Sequence, residues 1–422
     1  MAALGAGCAA RAAQTPLIRG LTFGVTGGAI HGVAGDADAT FHALAIAGDT
    51  GAPRTAIEAR RAGVASWRTE LDGSAGRLAL ARAVVVATVS GTQNAGGGAV
   101  LGEPGVALVA LDRERGSVRW RATCDASEWV VVTAVASMDD GVLVAGSFSG
   151  TLRIGRHVVS SAGKTDGFIA KLTATGSASW LVRVGGGGAD AIQGVASSGR
   201  RIAIAGVFAP GGELRGVPLE PIDARTPFAD GFVAELDDAG ARRWSATFGT
   251  KLDDAVAGVA IDGGGRVVVA ATTRDAVQIG GAQLQTRGGS DGLVGWWSPD
   301  GSSLHAVLIG GDEPDGLQAI AAAGEHVVVG GYFSGSMPLG ARSVTAGGGD
   351  DAFLATLDER GSVLTSWQVT GEGREEVAVL ASIPGGVVAG ISHTAGVTVA
   401  ETTIAAPADP MTGAAVVVIP VH

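Results

Sequence analysis

The sequence predicts an all-β chain, folded as one ring of seven four-stranded antiparallel blades. Three observations predict it. First, a short apolar run recurs seven times: ALAIAG (43–48), AVVVAT (83–88), VLVAGSF (142–148), IAIAGVF (202–208), VVVAAT (267–272), VVVGGYF (327–333) and GVVAGI (386–391). After the first copy the spacing is about 60 residues, the period of a repeat architecture. Second, three other apolar runs keep a fixed order around each copy. Third, the two ends of the chain complement each other.

Within a unit, the first run reads AIHGVA (29–34), VVTAVA (131–136), AIQGVA (191–196), AVAGVA (255–260), GLQAIA (316–321) and EVAVLA (376–381), and is compressed to RLALA (77–81) in the second unit. Small residues recur in its fourth and sixth places, as close packing around an axis requires. The seven-copy run comes second; it is β-branched and bounded by glycine or charge, like a buried strand. A third run follows, as VALVALD (106–112), GFIAKLT (167–173), GFVAELD (231–237), GLVGWWS (292–298), AFLATLD (352–358) and AAVVVIP (414–420), with a degenerate AIEARRAG (56–63) in the first unit. A four-residue turn with glycine leads into a last run carrying Trp67, Trp120, Trp180, Trp244 and Trp367, with His305 in that place in the fifth unit. Two runs joined by such a turn are a hairpin, so each unit is a four-stranded meander.

One such sheet cannot cover both its faces. Seven arranged radially can, and radial closure leaves only short edges. The expectation is a β-propeller over residues 16–422, preceded by a leader remnant or disordered tail at 1–15. The last unit stops in its third strand, and TPLIRGLTFGVTGG (15–28) reads as a detached fourth strand. Pairing the N-terminal strand with the last blade would close the ring.

Composition limits the function. The chain has 422 residues, 70 of them glycine, and a net charge of −11. Arg outnumbers Lys 27 to 3, which reads as the bias of a GC-rich genome. An acidic chain without a basic cluster argues against nucleic acid, and no apolar run is long enough for a spanning helix. Two cysteines, Cys8 and Cys124, exclude a disulfide framework or a cysteine zinc site. LGAGC before Ala9 resembles a bacterial lipoprotein cleavage site, with Cys8 as the residue to be lipidated. The expected location is therefore exported, periplasmic or cell-surface, with a cytoplasmic tail-bearing protein as the alternative.

FGTKLDDAVAGVAIDGGGRVVVAATT (248–273) is similar to the bacterial SBBP repeat, a pattern of GG-x-x-x-D-x-x-x-x-V-A-V-D-x-x-G followed by V-Y-V-A-G. The likeness runs over residues 16–422 and is best in units three to six. It implies a seven-bladed propeller, exported or on the surface, and supplies no catalytic residues. VALVALDRERGSVRW (106–120) resembles the strand pair of quinoprotein-type propellers. Those enzymes also need adjacent cysteines, which are lacking here, so tryptophan docking between blades explains the shared motif better.

No catalytic motif emerges. The glycine stretches at 185–188 and 263–265 lack a following G-K-[ST] and read as turns. Asp166, Asp230, Asp291 and Asp351 precede the third run and read as turn acceptors, with a calcium ring as the sharper alternative. Asp139–Asp140 and Asp237–Asp238 read as solvated turn residues. The tryptophan ladder reads as inter-blade packing, leaving Trp129, Trp296 and Trp297 as candidates for something specific. Variable segments between the second and third runs fit binding loops on a rigid scaffold, or hairpins that merely extend a blade. They share a face with the acidic links between units, among them Asp253, Asp254, Asp312 and Asp315. Those carboxylates suit calcium or a basic partner; otherwise the rim is only solvated. No other cofactor is implied. The expectation is a non-catalytic binding or scaffold propeller that takes a protein or glycan ligand on this face. A propeller enzyme acting on polysaccharide is the alternative.

Overall fold

A computed structural model of the chain describes residues 23–25, 28–47, 52–91, 105–252, 254–279, 281–399, 402–406 and 413–421. Among these residues every regular element is a strand. The strands form seven antiparallel blades, each with its first run innermost and its last run outermost. In blade 4 the order is Ala191–Ser198, Arg201–Phe208, Asp230–Leu236 and Arg242–Phe248.

The inner strands are Ile30–Gly35, Ser74–Ala81, Trp129–Met138, Ala191–Ser198, Ala255–Ile261, Asp315–Ala323 and Glu375–Ile383. Each touches the next around the axis, and Glu375–Ile383 returns to touch Ile30–Gly35. The small residues of the first run make this approach feasible. A methyl group on Gly194 would fall 2.8 Å from the Val259 nitrogen and 2.9 Å from the Gly258 α-carbon. At the other end of the circuit, Phe23–Val25 runs antiparallel to Gly413–Pro420, with Phe23 opposite Val416.

The core lies between the sheets. Seven apolar clusters fill the ring, and most draw on two neighbouring blades; one joins Ile169 and Val182 of blade 3 to Ile202 and Phe232 of blade 4. Phenylalanines meet edge to face within blades, Phe148 on Phe168 at 6.2 Å and Phe208 on Phe232 at 6.3 Å. Burying each such ring contributes up to about 3 kcal/mol.

The variable segments extend blades, but not their own. The hairpin of blade 3 (Thr151–Ile154 and His157–Ser160) pairs with Val118–Ala126, the outermost strand of blade 2. Glu213–Leu214 of blade 4 pairs with the edge of blade 3, and Val397–Val399 of blade 7 pairs with the edge of blade 6. Each hairpin thus covers a neighbour's open edge, the exposed feature that sheets must protect. The segments also pack against the links between blades: Asp190 donates its N–H to Thr165, and Asp315 to Ser290, both at 2.8 Å. Hairpins and acidic links therefore share one face.

Candidate functional site

Most of the residues singled out in the sequence lie in the seams between blades. The indole N–H of Trp67 donates to the Arg113 carbonyl at 2.9 Å. Trp120 donates to Ala174 at 2.9 Å, Trp180 to Asp238 at 3.0 Å and Trp244 to Pro299 at 3.2 Å. Every acceptor sits in the outer hairpin turn of the next blade, and each ring lies over that turn's glycine. Gly176, at φ 85°, leaves room only for the Trp120 ring; a methyl group there would fall 2.6 Å from it. The ladder is a row of docks between blades. Blade 5 lacks the tryptophan, and Trp296 stacks on His305 at 4.6 Å to fill the gap. Trp297 packs on Phe248 at 5.7 Å. Both tryptophans are 1% exposed, so of the three singled out only Trp129, at 43%, faces solvent.

Each seam from blade 3 to blade 7 also buries a pair of carboxyl groups: Asp166 with Asp190, Asp230 with Asp254, Asp291 with Asp315, and Asp351 with Glu375. All eight are at most 9% exposed. The first of each pair caps its turn, accepting the N–H of Ala162, Ile222, Arg287 or Gly347 at 2.7 to 3.1 Å. Asp190 accepts from Gly186 and Ala209, and Asp315 from Gly311 and Ser334. A glycine separates the two acids; a methyl group on Gly310 would lie 2.0 Å from Asp291 Oδ1 and 3.0 Å from Asp315 Oδ2. Burial, with the charge of Asp291, pushes Asp315 up to about 6. Burial, with the charge of Asp351, pushes Glu375 up to about 7.

The sequence-predicted calcium ligands are thus divided. Asp254 lies in the seam between blades 4 and 5, accepting the Thr250 N–H at 2.8 Å, and Asp315 lies in the next seam. Asp312 is exposed in the link before Asp315. Asp253 and Cys8 lie outside the described residues. Among those described, no three His, Cys, Asp or Glu side chains converge as a metal site. Asp140 and Asp238 do more than face solvent: both bind Lys171, which ties blades 3 and 4 together on the opposite face. Cys124 is fully buried, and burial pushes its thiol up to about 12, where it is no nucleophile.

The axis is different. Every inner strand breaks register at the same place, opposite the second strand of its blade. A bulge of this kind re-aims one side chain. The bulged residues are His31, Arg77, Thr133, Gln193, Ala257, Gln318 and Ala378, in chain order around the ring. All but His31 line an axial cavity of about 340 Å³, to which all seven inner strands contribute. In the sequence they are the third place of the first run in six units, polar at His31, Thr133, Gln193 and Gln318 and alanine at 257 and 378, while Arg77 opens the compressed run of the second unit. That signal was readable, and reasoning from motifs passed over it.

No protein-family model matches the chain, and no curated protein sequence matches it. Solved structures do resemble it. BamB from Moraxella catarrhalis aligns over 92% of this chain and 85% of its own, at 14% identity and a TM-score of 0.43. Sqt1 from Saccharomyces cerevisiae aligns over 95% and 98%, at 8% identity and a TM-score of 0.46. The quinohemoprotein alcohol dehydrogenase from Comamonas testosteroni aligns over 94% and 76%, at 11% identity and a TM-score of 0.46. These likenesses concern the course of the backbone and do not place the chain in a family.

Proposed function

We propose that the chain is a non-catalytic binding module of the bacterial envelope or surface, a relative of the SBBP-type repeat proteins. It takes its ligand on the face that carries the hairpins and acidic links. The observation that carries this reading is the axial girdle: one backbone position, repeated seven times, holds four kinds of side chain at the six places that line the cavity. Packing alone demands no such variety. The paired acids, by contrast, are sealed in the seams, where a substrate cannot reach them.

A glycan is the ligand class that best fits a girdle of amides and hydroxyls. The test is co-sedimentation with bacterial cell-wall polysaccharide, alongside an assay for new reducing ends. Binding without product, weakened when 209–229 is replaced by a short turn, supports the module. Release of product would make the chain a polysaccharide enzyme, and failure to sediment would remove the reading.

Calcium enters the same proposal as a ligand of the acidic links, on Asp253 and Asp254 in one link and Asp312 and Asp315 in the next. Occupancy at about 100 times the dissociation constant would add roughly 2.7 kcal/mol to the folded state. A melting curve that is unchanged between calcium and chelator removes the ion from the account.

A further inference from the structure

Arg77 is the only charged residue among those lining the axial cavity. Its Nε donates to the Thr133 carbonyl at 2.8 Å, and its Nη1 lies 3.4 Å from the His31 carbonyl and 3.5 Å from that of Ala378. Three other blades thus hold the guanidinium by their backbones. Among the described residues no carboxylate pairs with it, and its Nη2 has no protein partner. A desolvated cation without a counter-ion is costly to keep, and here it is kept in a chain of net charge −11. Around it, Gln193 and Gln318 present amides to the cavity, and the Gln318 Oε1 is buried without a partner.

We propose that the axial cavity binds a small sugar acid, with its single carboxylate on Arg77 and its hydroxyls on Gln193 and Gln318. The planar fork of arginine suits a carboxylate or a phosphate. The surroundings choose between them. Asp312, Glu313, Glu372 and Glu376 stand in or beside the links on the hairpin face, the end of the inner strands where the girdle lies, and Glu376 acts on His31 at the girdle itself. A dianion would meet that repulsion twice over, whereas one carboxylate on an otherwise neutral, hydroxylated ligand meets it once. Val33, Val195 and Val259 give the C–H face of a sugar ring an apolar wall. A volume of about 340 Å³ equals roughly eleven waters at liquid density, enough for one sugar ring.

This inference rests on the binding-module reading and can fail separately from it: co-sedimentation reports any polysaccharide held by the ring and its hairpins, whereas titration with glucuronate reports only a single sugar acid on Arg77. The experiment is a calorimetric titration of the full chain with glucuronate, glucose and inorganic phosphate. Glucuronate is expected to bind, with glucose and phosphate at least tenfold weaker. Arg77→Gln should weaken glucuronate at least tenfold. Because Arg77 also ties three carbonyls, Gln193→Ala with Gln318→Ala serves as a second variant and should weaken it several-fold without unfolding the ring. No heat with glucuronate, equal binding of phosphate or glucose, or undiminished binding by the variants would each overturn the proposal.

Discussion

The seams and the axis of this ring obey opposite rules. At the seams, the same residues return: four carry a tryptophan on the next blade's turn with a glycine beneath it, and four carry two acids about another glycine. At the axis the backbone returns just as faithfully, with a bulge in each of seven strands, yet the side chains at the bulge differ. A packing contact between identical neighbours has one best solution, so it repeats. A side chain that departs from the repeat with no compensating neighbour, unlike His305 under Trp296, is freer to answer to something outside the packing. The seams carry the packing that repeats, and the axis carries the side chains that do not, which is where the proposed ligand would be read.

The largest way to break this contrast is to remove the strand that pairs with the last blade. Deleting residues 1–27 removes Phe23–Val25 from Gly413–Pro420. If that pairing latches the ring, the product should aggregate or lose its cooperative melt, read by circular dichroism and gel filtration. A truncated chain that melts like the full one would show that the inner strands hold the ring by themselves.

Next in size is a seam dock. Trp180→Ala leaves a cavity against Gly240 and frees the Asp238 carbonyl, and should cost about 3 kcal/mol in urea unfolding. A loss below about 0.5 kcal/mol would make the ladder ornamental.

Glu375 sharpens the comparison through pH. Its carboxyl is raised from 4.5 to about 7 in the folded chain, so the folded state holds the proton more tightly than the unfolded one. The stability this gives is fully present below pH 4.5 and is lost as pH rises through about 7. At about 1.4 kcal/mol per pH unit the loss is roughly 3 kcal/mol. Glu375→Gln should flatten that slope; an unchanged slope would place the titration elsewhere. Trp129→Ser, on an exposed edge, should change stability by no more than about 0.5 kcal/mol.

Much of the seam was legible because it repeats. The tryptophan place, its glycine turn and the acid before the third strand stand at fixed offsets, and the structure gives Trp67, Trp120, Trp180 and Trp244 a carbonyl partner at that offset, while the indole N–H of Trp367 is buried without one. Trp296 was less legible: only three dimensions show that it fills the space left by His305. The hairpins misled in one respect, since sequence order ties them to their own blade whereas hydrogen bonds tie most of them to the preceding one. The girdle was legible in part, as a third place that is polar in four inner runs, at His31, Thr133, Gln193 and Gln318. Its meaning was not, because a bulge is invisible in one strand alone, and a cavity belongs to seven.

The central claim is that stability and binding reside in different places, and one paired measurement tests it. Melting temperature and glucuronate affinity are to be measured on Trp180→Phe and on the double variant Gln193→Ala with Gln318→Ala. The account predicts that the seam variant melts several degrees lower yet binds as the parent does. The girdle variant should melt within about 2 °C of the parent and bind several-fold more weakly. A seam variant that loses binding, or a girdle variant that loses only stability, would contradict it.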